Sequence, residues 1–115
     1  MYWAELRPRS GSEQRGRRPV IIISDDGFNL TPNWRSLIVV PLSTSHRQGR
    51  RGPTVVLIEA ESCGLAEETF ALCHQITTLD RSQLIKHIGS LKANKLAQVE
   101  DGILAAVDIE RQVSG

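Results

Sequence analysis

Gly11-Ser-Glu-Gln-Arg-Gly-Arg-Arg-Pro-Val-Ile-Ile-Ile-Ser24 joins a polar, glycine-bounded loop directly to a run of four aliphatic residues. Residues 20–23 have the β-branched composition of a fully buried strand, and Pro19 is tolerated at its start because only a terminal ladder bond is lost. The stretch therefore predicts a strand over residues 20–24. Arg18 lies where the loop becomes sheet, a position from which a cation can be aimed at a ligand.

Further strands are predicted on both sides of this one. Segments rich in aliphatic and β-branched residues occupy positions 2–6, 37–43, 54–59 and 69–77, separated by polar or Gly/Pro-containing loops. Pro41 within the third of these strands predicts an edge or a bulge. Asp80-Arg81-Ser82 predicts a short capped helical turn, and residues 86–91 predict one more short strand.

The C-terminal part has a helical pattern. Leu96, Val99, Ile103 and Val107 recur at helical spacing and predict one amphipathic helix over residues 93–109. Five or six short strands with one C-terminal helix indicate a mainly β fold (α+β), either a small barrel or a strongly curved sheet, with the helix on one side. At 115 residues we expect a single domain over positions 1–115.

The net charge of +1 hides an asymmetry along the chain. Residues 1–52 hold nine arginines against four acids, whereas residues 53–115 hold five basic residues against nine acids. The planar fork of arginine suits phosphate, so the basic half favours a polyanionic partner. Without an eighteen-residue apolar run or a secretory signal, we expect a cytoplasmic protein that does not span a membrane.

Several candidate sites have simpler explanations. Cys63 and Cys73 match no metal-ligand spacing and are expected to be reduced packing residues. Asp25-Asp26 beside Gly27 is typical of a turn rather than of a carboxylate pair. The glycines at 11 and 16 are not followed by Gly-Lys-Ser/Thr, so they make no phosphate loop. We expect neither a metal nor another cofactor.

Four separated motifs agree with one known pattern. They are Gly-Ser-Glu-Gln-x-Gly-x-Arg-Pro-Val at 11–20, Val-Val-Pro-Leu-Ser at 39–43, Gly-Leu at 64–65, and Ala-Leu-Cys-His-Gln-Ile-Thr-Thr-Leu-Asp at 71–80. Over nearly its whole length the chain resembles the MazF/PemK family of toxin endoribonucleases. The resemblance implies an SH3-like small barrel of the MazF/PemK/CcdB type. It also implies a homodimer that cleaves single-stranded RNA, including mRNA, without a metal.

The resemblance also implies biological partners and individual roles. A cognate MazE-like antitoxin would cover the RNA groove with its tail, and the toxin–antitoxin pair would bind DNA and act in growth arrest under stress. The family's chemistry falls on Arg18 and Ser43, its gating loop on Glu13 and Gln14, and a base-holding strand on Gln75. The remaining expected substrate contacts are Arg15, Arg17, Asn29, Thr44 and Thr78.

Cleavage of RNA by its own 2′-hydroxyl needs a proton acceptor, a group that stabilises the phosphorane, and a donor to the leaving 5′-oxygen. Arg18 suits stabilisation, because its fork binds two phosphate oxygens, but its permanent charge makes it a poor base. Ser43 is expected to donate a hydrogen bond to the phosphate. Ser43 is not expected to be a nucleophile, because the sequence shows no His-Asp pair to support covalent serine chemistry.

Two positions depart from the family pattern. His74 and Thr77 stand where members usually have an acidic and a basic residue, so an imidazole that titrates near neutral pH lies beside Gln75. His74 is therefore the candidate proton acceptor, and the alternative is a strand-face histidine with one ordinary hydrogen bond. Trp34, in a polar stretch, is a better candidate than Trp3 for stacking on bases, since Trp3 is expected in the core.

The same departures keep other functions open. One alternative is a non-catalytic or degenerate toxin-fold module that binds antitoxin or RNA, and another is a relative of the toxins that poison DNA gyrase. A purely structural interaction domain is the third, although three arginines around a strand that begins with proline argue against it.

Overall fold

The structure is a computed structural model and describes residues 1–6, 16–45, 47, 52–60 and 64–107, with Phe28 described for its backbone alone. The expected gate residues Glu13 and Gln14, the expected contact Arg15 and the cysteine Cys63 lie outside the described residues.

The described chain is mainly β, with one long helix near its C-terminus. Its elements are β1 (Tyr2–Leu6), β2 (Gly16–Ile22), α1 (Asp26–Asn29), β3 (Ser36–Ser43), β4 (Val55–Ile58), β5 (Thr69–Leu72), β6 (Thr77–Asp80), β7 (Leu84–His87) and α2 (Ala93–Ala106). Two 3-10 turns, Cys73–Gln75 and Arg81–Gln83, flank β6. The predicted class, mainly β with one C-terminal helix, is confirmed.

All seven strands form one antiparallel sheet in the order β4-β5-β3-β2-β1-β7, and β6 also pairs with β3. Within the described residues β4 and β7 stay at opposite ends of this order, so the sheet is not closed. β3 is its centre, because it pairs with β2 along one edge and with β6 and then β5 along the other. The strands of the predicted small barrel therefore form an open sheet within the described residues, with β3 at its centre.

The second strand begins earlier than predicted. β2 starts at Gly16, so Arg17, Arg18 and Pro19 are strand residues rather than the end of a loop. They pair with β1, where Glu5 lies opposite Arg17 and Ala4 opposite Arg18. The polar composition of this segment indicates a loop, but pairing with β1 holds it extended. The backbone at Arg18 is therefore held extended by its pairing with β1.

The predicted strand over residues 69–77 is wrong, because a 3-10 turn at Cys73–Gln75 divides it into β5 and β6. The two pieces pair with different parts of β3, β5 with Leu42 and Ser43 and β6 with residues 36–39. The turn moves the chain from one part to the other. Its first residue, Cys73, is fully buried, and its backbone N–H donates to Thr54 O at 2.9 Å.

Pro41 lies in the central strand of the sheet, and not in the edge strand or at the bulge that the sequence predicted. Ile38 O accepts a hydrogen bond from Ile23 N, which turns the backbone groups of even-numbered β3 residues toward β2. Those of Pro41 therefore face the other edge, at the interval between the residues paired with β6 and with β5. The missing N–H of Pro41 falls where the partner of β3 changes, and the ladder loses little.

Alternation along β2 and β3 divides the buried side chains into two clusters, one on each face of the sheet. The first face carries Val20 and Val39, and the second carries Ile21, Val40 and Leu42. Helix α2 packs on the second face through Val99 and Gly102. It ends at Ala106, inside the predicted range, and residues 108–109 of that range lie outside the described residues.

Gly102 allows α2 to approach the sheet closely. A Cβ atom at this position would lie 2.7 Å from Cys73 Sγ and 3.2 Å from Cys73 Cβ. Burial raises the pKa of the Cys73 thiol to about 11, so the group stays protonated at neutral pH. The predicted packing role of Cys73 is confirmed. Neither helix of the described chain is long and apolar enough to cross a membrane.

Candidate functional site

Arg18 and Ser43 lie at the same end of the β2–β3 ladder. The register pairs Val20 with Pro41 and Ile22 with Val39. Arg18 precedes Val20 by two residues and Ser43 follows Pro41 by two, so both project to one face beyond the last pair of the ladder. Two residues separated by 25 positions in sequence are thereby directed to one region. Their shared end and face define the candidate site.

Arg18 is half-buried and lies opposite Ala4 on β1. On this face of the sheet its neighbours are small or aliphatic, because Ala4 and Val20 belong to one buried apolar cluster. A cation partly withdrawn from water interacts more strongly with an anion than a fully solvated one does. The position therefore suits recognition of a phosphate.

Ser43 ends β3 and is only 5% exposed. Its Oγ accepts a hydrogen bond from Ser45 N at 3.2 Å, which ties the hydroxyl to the chain that follows the strand. Because Oγ acts as the acceptor in this contact, its own proton can be donated to a ligand. Thr44, between the two serines, is exposed just beyond the end of β3.

Arg17 faces away from Arg18, although the two residues are consecutive. Successive side chains of a strand point to opposite faces, and Arg17 is exposed on the face that carries Trp3 and Glu5. There it lines a groove of about 250 Å³ with Trp3, Ile85 and Lys86. The structure therefore does not bring Arg17, an expected substrate contact, together with Arg18.

His74 and Gln75 lie on the first 3-10 turn, not on the strand expected for them. His74 is exposed, and its Nδ1 lies 3.3 Å from Thr54 Oγ1. Ser43 pairs with Phe70, so His74 is four residues further along the chain. At about 3.3 Å per strand residue this separation is on the order of 10 Å, and the turn does not bring His74 opposite Ser43.

Asn29 and Thr78 lie near Ile38, towards the opposite end of β3 from Ser43. Thr78 is exposed on β6 and pairs with Ile38. Asn29 Nδ2 donates to Ser24 O at 2.7 Å, and its Oδ1 accepts from Ser24 Oγ at 2.5 Å. The amide of Asn29 thus holds the turn after β2. The structure does not group these two expected contacts with Arg18 and Ser43.

A cluster that sequence reasoning missed fixes the chain between β2 and β3. Arg81 donates from Nη2 to Asn29 O at 2.7 Å and from Nε to Trp34 O at 3.0 Å. Arg35 forms an ion pair with Asp80 at 2.9 Å. Of this cluster, the sequence predicted only the cap of the second 3-10 turn. Asp80 Oδ2 accepts a hydrogen bond from Ser82 N at 2.8 Å, as that prediction requires.

Hydrogen bonds from Arg35 and Ser82 hold the pKa of the Asp80 carboxyl well below its usual range. The carboxylate is therefore charged at neutral pH, and its ion pair with Arg35 links the residue before β3 to the end of β6. Trp34, the candidate for base stacking, is 42% exposed on the segment that this cluster holds. Among the described residues, no three His, Cys, Asp or Glu side chains are grouped to hold a metal ion.

The fold is that of known toxin structures. It is similar to the Mycobacterium tuberculosis toxin MazF-mt6, with a TM-score of 0.76 and 24% identity over 96% of this chain and 97% of that one. It is also similar to MazF from Deinococcus radiodurans, with a TM-score of 0.74 and 23% identity over 94% and 92%. A mycobacterial endoribonuclease solved in complex with its cognate antitoxin gives a TM-score of 0.74 and 21% identity over 96% and 93%.

At these identities the structural likenesses establish a shared architecture. A sequence profile adds the family: the one described as PemK-like, MazF-like toxin of type II toxin-antitoxin system matches residues 1–107. The chain belongs to this family of toxins. The resemblance inferred from the four motifs is confirmed.

Proposed function

We propose that this protein is a sequence-selective, metal-independent endoribonuclease that cleaves single-stranded RNA, including mRNA, as the toxin of a type II pair. The RNA's own 2′-hydroxyl gives up its proton and attacks the adjacent phosphorus, the P–O5′ bond breaks, and the 5′-oxygen takes a proton from water, which leaves a 2′,3′-cyclic phosphate and a 5′-hydroxyl. The observation that carries the proposal is the projection of Arg18 and Ser43 to one face at one end of the β2–β3 ladder. Membership of the toxin family supports it.

Arg18 is the electrostatic centre of the proposed reaction. As the 2′-oxygen attacks, negative charge grows on the non-bridging phosphate oxygens, and a guanidinium fork fixed by strand pairing meets two of them without reorganising. The Ser43 hydroxyl donates to one of the same oxygens, while the Ser45 N–H holds its oxygen in place. Both residues stabilise charge, and neither accepts the proton.

His74 is the proposed proton acceptor. Its imidazole is exposed and lies on a different strand connection from Ser43, on the order of 10 Å away at the rise of about 3.3 Å per strand residue. This separation favours a homodimer in which Arg18 and Ser43 of one subunit act with the His74 of its partner. Residues Gln75, Thr44 and Thr78 are then base and backbone contacts along the RNA, together with Glu13, Gln14 and Arg15 from the segment that precedes β2.

A cognate MazE-like antitoxin is the proposed inhibitor. A mycobacterial structure of the same fold is an endoribonuclease solved with its cognate antitoxin, which supports a partner of this kind. The half-buried Arg18 offers an acidic antitoxin tail the same anion site as the phosphate. Inhibition by competition for Arg18 follows, in a cytoplasmic protein that arrests growth when its antitoxin is lost.

The test is incubation of the purified protein with mixed single-stranded RNA in EDTA. We expect fragments with 5′-hydroxyl and cyclic phosphate ends, at a restricted set of sequences. Arg18→Ala should reduce the rate by about 10²–10³, the usual effect of removing a group that stabilises developing charge. Intact RNA at high protein concentration, or cleavage that Arg18→Ala leaves unchanged, would overturn the proposal.

A further inference from the structure

The face of the sheet turned away from Arg18 carries a groove of about 250 Å³ lined by Trp3, Arg17, Ile85 and Lys86. Lys86 is the direct partner of Trp3 on β7, and Arg17 lies diagonal to Trp3 on β2. One cation from each neighbouring strand therefore stands beside a single indole. We call this feature the Trp3 groove.

A β-bulge gives the Trp3 groove its apolar wall. Trp3 pairs with Lys86 and Ala4 pairs with Leu84, so the register passes over Ile85. A bulge re-aims the side chain of its extra residue. Ile85 accordingly lines the groove with Lys86, although adjacent residues of a regular strand face opposite sides, and it is 47% exposed there. Trp3 is half-buried rather than in the core, where the sequence predicted it.

Within the described residues, neither Arg17 nor Lys86 belongs to an ion pair of the kind that joins Arg35 to Asp80 or Lys95 to Glu59. Glu5 lies opposite Arg17 on β1 and is exposed, yet no ion pair forms between them. The groove thus combines an accessible indole and an aliphatic wall with two charges available to an anion.

We propose that the Trp3 groove binds a nucleotide of single-stranded RNA away from the cleaved bond, its base on Trp3 and Ile85 and its phosphates on Arg17 and Lys86. Aromatic side chains beside cations are the usual means of holding single strands without strict sequence preference. The inference rests on the proposed function, because that function makes RNA the ligand. It adds a second contact region on the opposite face from Arg18 and Ser43.

The position of Arg17 connects the two regions. Arg17 and Arg18 are consecutive, so their Cα atoms are about 3.8 Å apart while their side chains leave opposite faces of β2. An RNA that contacts both must pass around the sheet, and β7, which carries half of the groove, is an edge strand within the described residues. Longer RNA should therefore bind more tightly than RNA that covers only the cleavage region.

Trp3 and Trp34 are the only two tryptophans of the chain, so Trp34→Phe leaves Trp3 as the sole tryptophan reporter. The probe is a 2′-O-methyl RNA of mixed sequence, about ten nucleotides long to cover a typical single-strand site, and it cannot be cleaved by 2′-hydroxyl attack. We expect saturable quenching of Trp3 fluorescence.

Lys86→Gln should make the slope of log K against log salt shallower by about 0.7, the value for one phosphate contact on a single strand. Arg17→Gln/Lys86→Gln should change it by about 1.4.

Lys92→Gln is the matched control, because Lys92 is an exposed lysine at the start of α2 and outside the groove. It should leave the slope unchanged, and equal slopes for Lys86→Gln and Lys92→Gln would overturn the proposal.

Absent quenching in a Trp34→Phe protein that still cleaves RNA would overturn the proposal and leave the proposed function intact. Quenching without cleavage would support the groove and count against the nuclease. Quenching by a glutamate-rich peptide but not by the RNA would overturn it in favour of a protein ligand.

Discussion

Arg17 and Arg18 are neighbours in sequence, but β2 directs them to opposite faces of the sheet. Only Arg18 shares its face and its end of the ladder with Ser43. The two arginines therefore provide a matched pair of substitutions. Each removes one guanidinium group from the same strand, and only one of them removes it from the candidate site.

We predict that Arg18→Ala lowers kcat by about 10²–10³, because in the proposed reaction its fork stabilises charge that develops in the transition state. Arg17→Ala should instead raise KM with little change in kcat, because phosphate contacts away from the reacting bond are the same in ground and transition states. Steady-state kinetics on a fluorogenic RNA separate these effects. A larger loss of kcat in Arg17→Ala than in Arg18→Ala would contradict the assignment.

At the scale of elements, α2 is placed by its contact with the buried first 3-10 turn. Gly102→Ala would bring a methyl group to 2.7 Å from Cys73 Sγ. Overpacking of this kind costs about 1–3 kcal/mol, against a gain of about 1 kcal/mol in helix propensity. We predict a net loss in the free energy of unfolding, measured by urea denaturation.

Cys73→Ala provides the control for this prediction, since it removes the sulfur that the new methyl group would meet. In the double variant, Gly102→Ala should be less costly than it is in the wild-type background. Additive effects of the two substitutions would show that α2 does not pack on Cys73.

The Arg35–Asp80 pair joins β3 to the end of β6 and predicts a pH dependence. Because folding lowers the pKa of the Asp80 carboxyl, its charge favours the folded state at neutral pH. That contribution declines as the pH falls below about 4, the ordinary value for aspartate, and on through the lower folded-state pKa. Asp80→Asn keeps an oxygen to cap the 3-10 turn and loses only the charge.

We therefore predict that Asp80→Asn is less stable than the wild type at neutral pH and that the difference shrinks at acidic pH. Thermal unfolding of both proteins between about pH 3 and pH 7 measures it. A stability difference that stays constant over this range would show that the charge of Asp80 does not contribute.

Elements whose signal is local were predictable. Residues 2–6 form β1 as predicted, and Asp80 caps its turn as predicted. The extension of β2 to Gly16 and the division of residues 69–77 were not, because both depend on pairing with distant strands. The same holds for the site. The resemblance to the family made Arg18 and Ser43 candidates, but their common end and face follow from a strand register that no local pattern predicts.

At the scale of the whole molecule, the position of each candidate site residue along β3 determines which of these residues lie close together. Ser43 lies at one end of this strand, with Arg18, while Thr78 and Asn29 lie towards the other end. His74 is on the turn between the two partners of β3. A nuclease that uses Arg18, Ser43 and His74 on one phosphate therefore fits a homodimer better than a single chain.

The dimer predicts complementation between inactive subunits. Arg18→Ala and His74→Ala proteins, unfolded together and refolded, should regain activity, because each mixed dimer has one site with both residues intact. Random mixing should restore about a quarter of the wild-type rate, since half of the dimers are mixed and each has one working site of two. Arg18→Ala mixed with Ser43→Ala is the control and should stay inactive. Absent recovery in the first mixture would place the three residues within one subunit or remove His74 from the reaction.

The most direct test of the central claim compares two RNAs that differ by one oxygen atom. The first is a cleaved RNA, and the second has a single 2′-deoxy sugar on the 5′ side of the cut. The proposed chemistry predicts that the wild-type protein cuts the first, leaving a cyclic phosphate, and does not cut the second. Equal cleavage of both RNAs would contradict attack by the 2′-hydroxyl and the roles proposed for Arg18 and Ser43.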